Sequence, residues 1–271
     1  MTIELRADGI SKVFGGRGSQ RKAVDDVTVA VRPGDFTAIV GESGSGKSTV
    51  ARMMLGLMAP SSGQVTYDGV PLTAMTRAQR MAFRSSVQCV LQDPSAALNP
   101  RKTVRRTLAE VIRLHGLAKR RSAVDEKVDE ALASVDLLPT GTFADRFPHQ
   151  LSGGQRQRVL IARALVLNPS IIIADEAVSA LDVAVKAGIL TLLEDLRERW
   201  GIGYLFITHD LPVVKKVAER TYVMRAGRVV ESAPTDRLFS APETAYTAEL
   251  LGAAPVLDPR EARRWLRGAP A

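Results

Sequence analysis

A single cysteine, Cys89, serves the whole chain of 271 residues. It can form no internal disulfide, and it rules out a four-thiolate iron–sulfur cluster or a Cys-rich zinc module. Lying in the apolar stretch 87–91, it reads as a small buried hydrophobe. Histidine is almost as scarce. His115 and His149 are isolated and read as structural. Aromatic residues make up only 5% and do not interleave with the basic ones, so a base-stacking surface is missing. No apolar run approaches the roughly eighteen residues that a bilayer span needs. The opening stretch, MTIELRADGISKVF, has no signal-peptide core, and a cytosolic location is expected.

What is present describes an ordinary globular protein with a substantial core: 45% hydrophobic and 24% charged residues. The net charge of +8 comes from dispersed Lys and Arg, with small clusters at Arg101-Lys102, Arg105-Arg106, Lys119-Arg120-Arg121 and Arg260/Arg263/Arg264/Arg267. It reads first as solvated surface and next as proximity to anionic lipid; nucleic acid ranks last.

Residues 41–49 read GESGSGKST and fit G-x-x-x-x-G-K-S/T, the loop whose backbone N–H groups cradle nucleotide phosphates. The context agrees. Phe36–Val40 is a short apolar, β-branched run suited to a buried strand, and 48–57 carries helix formers. A strand feeding a Gly-rich turn that opens a helix sets a partial positive charge against the phosphates. Gly41, Gly44 and Gly46 permit close backbone approach, and Ser43, Ser45 and Thr49 complete the loop. Lys47 would reach the β- and γ-phosphates, and Ser48 would offer its hydroxyl to Mg2+. The chain is expected to bind a nucleoside triphosphate.

Residues 151–155 read LSGGQ. Ser152 is a good helix N-cap, Gly153 and Gly154 leave the backbone N–H groups unobstructed, and Gln155 opens a helix running to Leu167. A second helix N-terminus suited to an anion results. About twenty residues on, Ile171-Ile172-Ile173-Ala174 leads into Asp175-Glu176, a strand buried on both faces that ends in two carboxylates. By themselves those acids read as a solvated strand end.

Together these motifs resemble the ATP-binding cassette (ABC) ATPase family. The resemblance covers about residues 1–255 and is densest over 92–210. It implies an α/β fold: a P-loop ATPase with a RecA-like core, an antiparallel β-subdomain and an inserted helical subdomain. It implies that Asp175 holds Mg2+ and that Glu176 is the general base or water-positioning carboxylate. Gln92 would sense Mg2+ and the attacking water, and His209 would contact the γ-phosphate. Asp182 would lie at a dimer interface, and Phe14 would stack on adenine. In that family Ser152, Gly153, Gly154 and Gln155 of one subunit close on the ATP held by another.

The rest of the chain suits this organisation. Alternating residues up to about Arg32, and a short strand over 66–70, provide the antiparallel part. Val104, Leu108, Val111 and Ile112, then Val124, Val128, Leu132 and Val135, mark amphipathic helices between Pro100 and Pro148. Helices over 183–200 and 211–218 flank a strand over 204–208, and 221–224 pairs with 228–231 around Ala226-Gly227. The expected division is an ABC ATPase domain over 1–232, with a helical subdomain at about 98–158, and a C-terminal extension over 233–271.

Within the family, residues 91–104, LQDPSAALNPRKTV, resemble the peptide- and nickel-importing branch, as does the Tyr246-Thr247-Ala248-Glu249-Leu250-Leu251 element. Ala177-Val178, where most members carry Pro-Thr, and the stretch 77–84, RAQRMAFR, resemble nickel-import ATP-binding subunits. The chain departs from that branch in having Thr244-Ala245 before Tyr246 in place of His-Pro. The resemblance thus implies an ATP-hydrolysing subunit powering import of nickel or a nickel chelate, with a di- or oligopeptide importer as the alternative. An exporter ATPase, or a soluble nucleic-acid-associated ATPase, ranks behind both. Implied partners are a second ATPase subunit, identical or homologous, two transmembrane permease subunits and, indirectly, an extracytoplasmic solute-binding protein; nucleic acid is not among them. The implied place is the cytoplasmic face of the cell membrane.

Overall fold

The computed structural model describes residues 3–15, 20–91, 94–179 and 181–253. The strands are β1 (Leu5–Phe14), β2 (Arg21–Val31), β3 (Phe36–Val40), β4 (Ser62–Tyr67), β5 (Val70–Pro71), β6 (Val87–Leu91), β7 (Ile171–Asp175), β8 (Gly203–Ile207), β9 (Arg220–Arg225) and β10 (Arg228–Pro234). The helices are α1 (Lys47–Met54), α2 (Arg77–Ser86), α3 (Pro94–Ala97), α4 (Val104–Leu114), α5 (Arg121–Ala133) and α6 (Thr140–Ala144). They continue with α7 (Gly153–Leu165), α8 (Val183–Trp200), α9 (Leu211–Val217), α10 (Thr235–Ser240) and α11 (Ala245–Gly252). The described residues divide into two compact units, one drawn from 1–31, 35–71 and 205–271, the other from 32–34 and 72–204.

The first unit holds an antiparallel sheet in the order β2-β1-β4-β5. Its β1 and β2 bury alternate residues, Leu5 and Ala7 against Val27, Val29 and Val31. The strand expected over 66–70 is split in two. Tyr67 pairs with Val70, so Asp68 and Gly69 form a two-residue turn, both at positive φ (51° and 74°). That is the backbone for which Asp-Gly is suited. The same unit places β9 between β3 and β10. β3 runs parallel to β9, pairing Val40 with Val223, and every residue of β3 is buried. Phe36 and Phe206 pack as a tilted pair, ring centroids 5.8 Å apart. A second two-residue turn, Ala226-Gly227 at φ 48° and 85°, joins β9 to β10. α9, α10 and α11 cover Ala38, Val40 and Val223 with Leu211, Val214, Leu238, Phe239, Tyr246 and Leu251.

The second unit pairs β6 and β7 in parallel, Val87 opposite Ile171 and Leu91 opposite Asp175. β7 is buried on both faces as far as Ala174. The amphipathic stripes become α4 and α5, which bury Val104, Leu108 and Ile112 against Val124, Val128 and Leu132. Thr103 caps α4 by accepting the Arg106 N–H at 3.2 Å. Arg105 joins the end of this segment, 2.8 Å from Asp125 and 3.1 Å from Asp145. Of the isolated histidines, His115 Nδ1 lies 3.2 Å from Ser85 Oγ, and His149 stacks on Phe147. Cys89 is half-buried, and burial pushes its thiol pKa up. Among the described residues no helix is long and apolar enough to cross a membrane.

Substituting Ile173, fully buried in β7, by Ala should lower the free energy of unfolding in guanidinium by about 2–5 kcal/mol. Leu114→Ala, at an exposed site, should change it by less than about 0.5 kcal/mol.

Candidate functional site

The phosphate-binding loop runs from the end of β3 into α1, as its motif requires. Gly41 (φ 146°) and Gly46 (φ 106°) adopt backbone that favours glycine. A Cβ on Gly41 would collide with the Met224 carbonyl, and one on Gly46 with the Ala23 carbonyl. The loop is therefore wedged between β9 and β2, with no room for side chains at its two ends. Gly46 opens α1 from the left-handed region, and its carbonyl accepts the N–H groups of Thr49 and Val50, each at 3.0 Å. Glu42, Ser43 and Gly44 are exposed; Ser45 and Lys47 are buried.

Lys47 is 5% exposed. Its Nζ donates to the carbonyls of Gly41 (2.7 Å) and Glu42 (2.8 Å), which fold it back over its own loop. Ser45 Oγ is buried and makes no hydrogen bond. A buried hydroxyl in want of a partner, a buried lysine whose ammonium donates to two loop carbonyls and two glycines where a Cβ would clash suit a bound phosphate. Ser48 and Asp175 carry the hard oxygen donors that Mg2+ prefers. The supports of the loop are non-local. The Gly227 N–H donates to the Ser45 carbonyl at 2.9 Å, and the Gly227 carbonyl accepts from the Asp25 N–H at 2.8 Å. Asp25 in turn is held by Lys22 and by Arg228 Nε at 2.6 Å, and these cations keep its carboxyl pKa below the usual range. Motif reading identified the 226–227 turn but not its contact with the phosphate loop.

Two further expected residues lie in this unit. His209 lies two residues beyond the end of β8 and is exposed, on a backbone fixed by Asp210, whose N–H donates to Thr208 Oγ1 at 3.0 Å. Phe14 ends β1 with 41% of its surface exposed, and Lys12 Nζ lies 5.7 Å from its ring centroid. It is thus a surface aromatic rather than part of the core.

In the second unit, Asp175 ends β7 and Glu176 follows in the left-handed region, φ 50°. For a non-glycine residue that backbone costs of order 1–3 kcal/mol. It is offset in part by Ser179, whose N–H and Oγ donate to the Glu176 carbonyl at 3.1 and 3.0 Å. No periodicity in the sequence signals this. Ala177 and Val178 are buried, 4% and 1% exposed.

The LSGGQ segment forms a capping box. Gln155 N–H donates to Ser152 Oγ at 3.2 Å, and Ser152 N–H donates to Gln155 Oε1 at 3.0 Å. The helix starts at Gly153, two residues earlier than expected. Asp182 caps α8, accepting the Val185 N–H at 2.9 Å. A Cβ on Gly154 would strike Val185, and one on Gly153 would touch Leu181. The structure thereby brings the start of α7 against the turn carrying Asp182. Gln92 lies outside the described residues. A contact not foreseen is that of Arg163 on α7, which donates to the Ala97 carbonyl at 3.0 Å.

The profile of the family described as ABC transporter matches residues 24–179. The chain is 44% identical over 241 residues to the glutathione import ATP-binding protein GsiA of Salmonella paratyphi A, covering 89% of this chain and 38% of that protein. It therefore spans well under half the length of that relative. It is 45% identical over 244 residues to the putative oligopeptide transport ATP-binding protein YkfD of Bacillus subtilis, covering 90% of this chain and 74% of that one. Among solved structures, the dimeric post-hydrolysis state of the ATP-binding cassette MJ0796 bound to ADP and Pi matches with a TM-score of 0.74 at 29% identity. That match covers 85% of this chain and 98% of the other. With the profile extending over more than half of its residues, from β2 through the phosphate loop to the turn after β7, this chain belongs to the ABC transporter family, whose ATP-binding cassettes hydrolyse ATP to power transport.

Proposed function

We propose that this chain is the ATP-hydrolysing subunit of an importer whose cargo is peptidic, di- and oligopeptides or glutathione. The observation that carries the ATPase part is the phosphate loop: buried Lys47 on replaceable carbonyls, an unbonded buried Ser45 hydroxyl and glycines against neighbouring carbonyls. In this reading Lys47 exchanges the Gly41 and Glu42 carbonyls for the β- and γ-phosphate oxygens of ATP. The backbone N–H groups from Gly44 to Thr49 take the rest of the phosphate charge, and Phe14 presents its exposed ring to adenine. Ser48 and Asp175 would hold Mg2+, which when bound neutralises charge developing on the phosphates. Glu176 orients water and accepts its proton, and His209 bonds the γ-phosphate. Gln92 is assigned the sensing of Mg2+ and attacking water.

A second ATPase subunit, identical or homologous, completes the proposed unit. Two copies would enclose two ATP molecules head-to-tail, each γ-phosphate meeting Lys47 and His209 of one copy and the capped start of α7, residues 152–155, of the other. Asp182, already adjacent to that start, would lie at the interface. The bridge exists only while the γ-phosphate is attached, so ATP favours the closed pair and hydrolysis releases it. Two permease subunits would convert closure into transport at the cytoplasmic face of the membrane, with a solute-binding protein delivering cargo outside. We further propose the division into an ATPase domain over 1–232, with its helical subdomain at about 98–158, and an extension from 233.

Cargo is the finer question. The nickel reading leaned on Ala177-Val178 and on the stretches 77–84 and 99–104. The relatives described above carry peptide and glutathione names, which supports the peptide alternative over nickel.

Glu176→Gln should retain ATP binding and cut steady-state hydrolysis at least about a hundredfold; a phosphate-release assay at near-normal rate would remove Glu176 from its role. Lys47→Ala should weaken ATP binding about tenfold or more, read by calorimetry, because it deletes charge-assisted hydrogen bonds. In cells whose native copy carries Glu176→Gln, uptake of labelled glutathione or tripeptide should collapse while radioactive nickel uptake is unchanged. The opposite pattern would restore nickel as cargo.

A further inference from the structure

The family profile ends at residue 179, and the standard loop motifs account for nothing beyond His209. Yet the last described helix, α11, reaches the phosphate loop within the same compact unit. Tyr246, the second residue of that helix, is 6% exposed and packs with Ala38 and Val40 of β3, the strand that feeds the loop. Its Oη accepts the Glu42 N–H at 3.5 Å. Its ring lies under the Arg225 guanidinium, 4.5 Å from carbon to centroid, at the end of β9. Glu42 is itself a node of the loop, its carbonyl accepting Lys47 Nζ at 2.8 Å and the Ser45 N–H at 3.2 Å.

Tyr246 does not arrive there on a loose tail. The Glu231 carboxylate on β10 accepts the N–H groups of Glu243 (2.9 Å) and Thr244 (3.0 Å), and also the Thr244 hydroxyl (3.0 Å). Thr244 then caps α11 by accepting the Thr247 N–H at 3.1 Å. Burial raises the Tyr246 phenol pKa, so it remains neutral and protonated beside the loop. Hydrogen bonds from β10 thus fix the start of α11, and the tyrosine carried there reaches the second residue of the phosphate cradle.

We infer that Tyr246 is a positioning residue for the nucleotide: through Glu42 it holds the opening of the phosphate loop in its binding geometry, making α11 part of the nucleotide site. This rests on the loop being the ATP cradle. The contact touches the start of the loop and not the reacting phosphate, so it should act on binding of ATP and ADP alike and leave turnover alone. Tyr246→Phe deletes the acceptor and keeps the ring beneath Arg225. It should raise KM for ATP and Kd for ADP by roughly two- to tenfold, the range for one modest hydrogen bond, with kcat within about twofold and the nucleotide-free melting temperature unchanged. Tyr246→Ala should show a larger rise in KM and a lower melting temperature, because the ring packing also goes. Wild-type nucleotide affinity in Tyr246→Phe overturns the inference. So does a fall in kcat at constant KM, or a loss of affinity that appears only with a fall in nucleotide-free melting temperature. A wild-type chain that binds neither ATP nor ADP would refute the cradle reading itself, a different failure.

Discussion

A lysine ammonium buried to within a few per cent of full enclosure must have acceptors, because an unpaired buried charge costs several kcal/mol. In this chain Lys47 meets that demand with the carbonyls of Gly41 and Glu42, two groups that the tight turn of its own loop aims inward. The turn can close that far only because Gly41 and Gly46 have no Cβ to strike Met224 and Ala23. The charge, the acceptors and the glycines therefore form one constraint. Remove the glycines and the carbonyls cannot turn in toward the lysine. The placement of β2, β9 and the turn that joins β9 to β10 follows from it, since each supplies a backbone group against the loop.

The same economy of backbone polar groups runs through the second unit. Ser152 and Gln155 satisfy one another's N–H groups at the start of α7, and Asp182 does so for α8. Gly154 lets the two helix starts approach, with Val185 filling the space a side chain would need. Glu176, like Asp136 and Asn168 of the same unit, departs from relaxed geometry. It is forced into the left-handed region after the last ladder position of β7, and the Ser179 donors hold its carbonyl there. That turn fixes where the Glu176 Cα–Cβ bond leaves the strand end, which suits a residue proposed to orient water.

Much was legible in the sequence where cause and effect are local. The buried strand Phe36–Val40, the N-cap at Ser152, the helix Val183–Trp200 and the Ala226-Gly227 turn depend on residues within a few positions of each other. Reading missed α2, whose one buried side chain, Phe83, makes too thin a stripe to register. It misplaced the strand over 66–70, because Asp68-Gly69 was not weighed as a turn. It linked Ala177-Val178 to nickel, whereas the relatives described above carry peptide and glutathione names.

The sequence alone determined the chemistry of the loop and of the LSGGQ helix start, because positive φ, close approach and capping are written in adjacent residue types. Only the tertiary structure decided what holds that chemistry in place. Tyr246 meets Glu42 across 204 positions of chain, and Gly227 meets Ser45 across nearly as many. Neither pairing leaves a periodic or compositional trace, because a single hydrogen bond between distant segments is chosen by how the strands and helices between them pack.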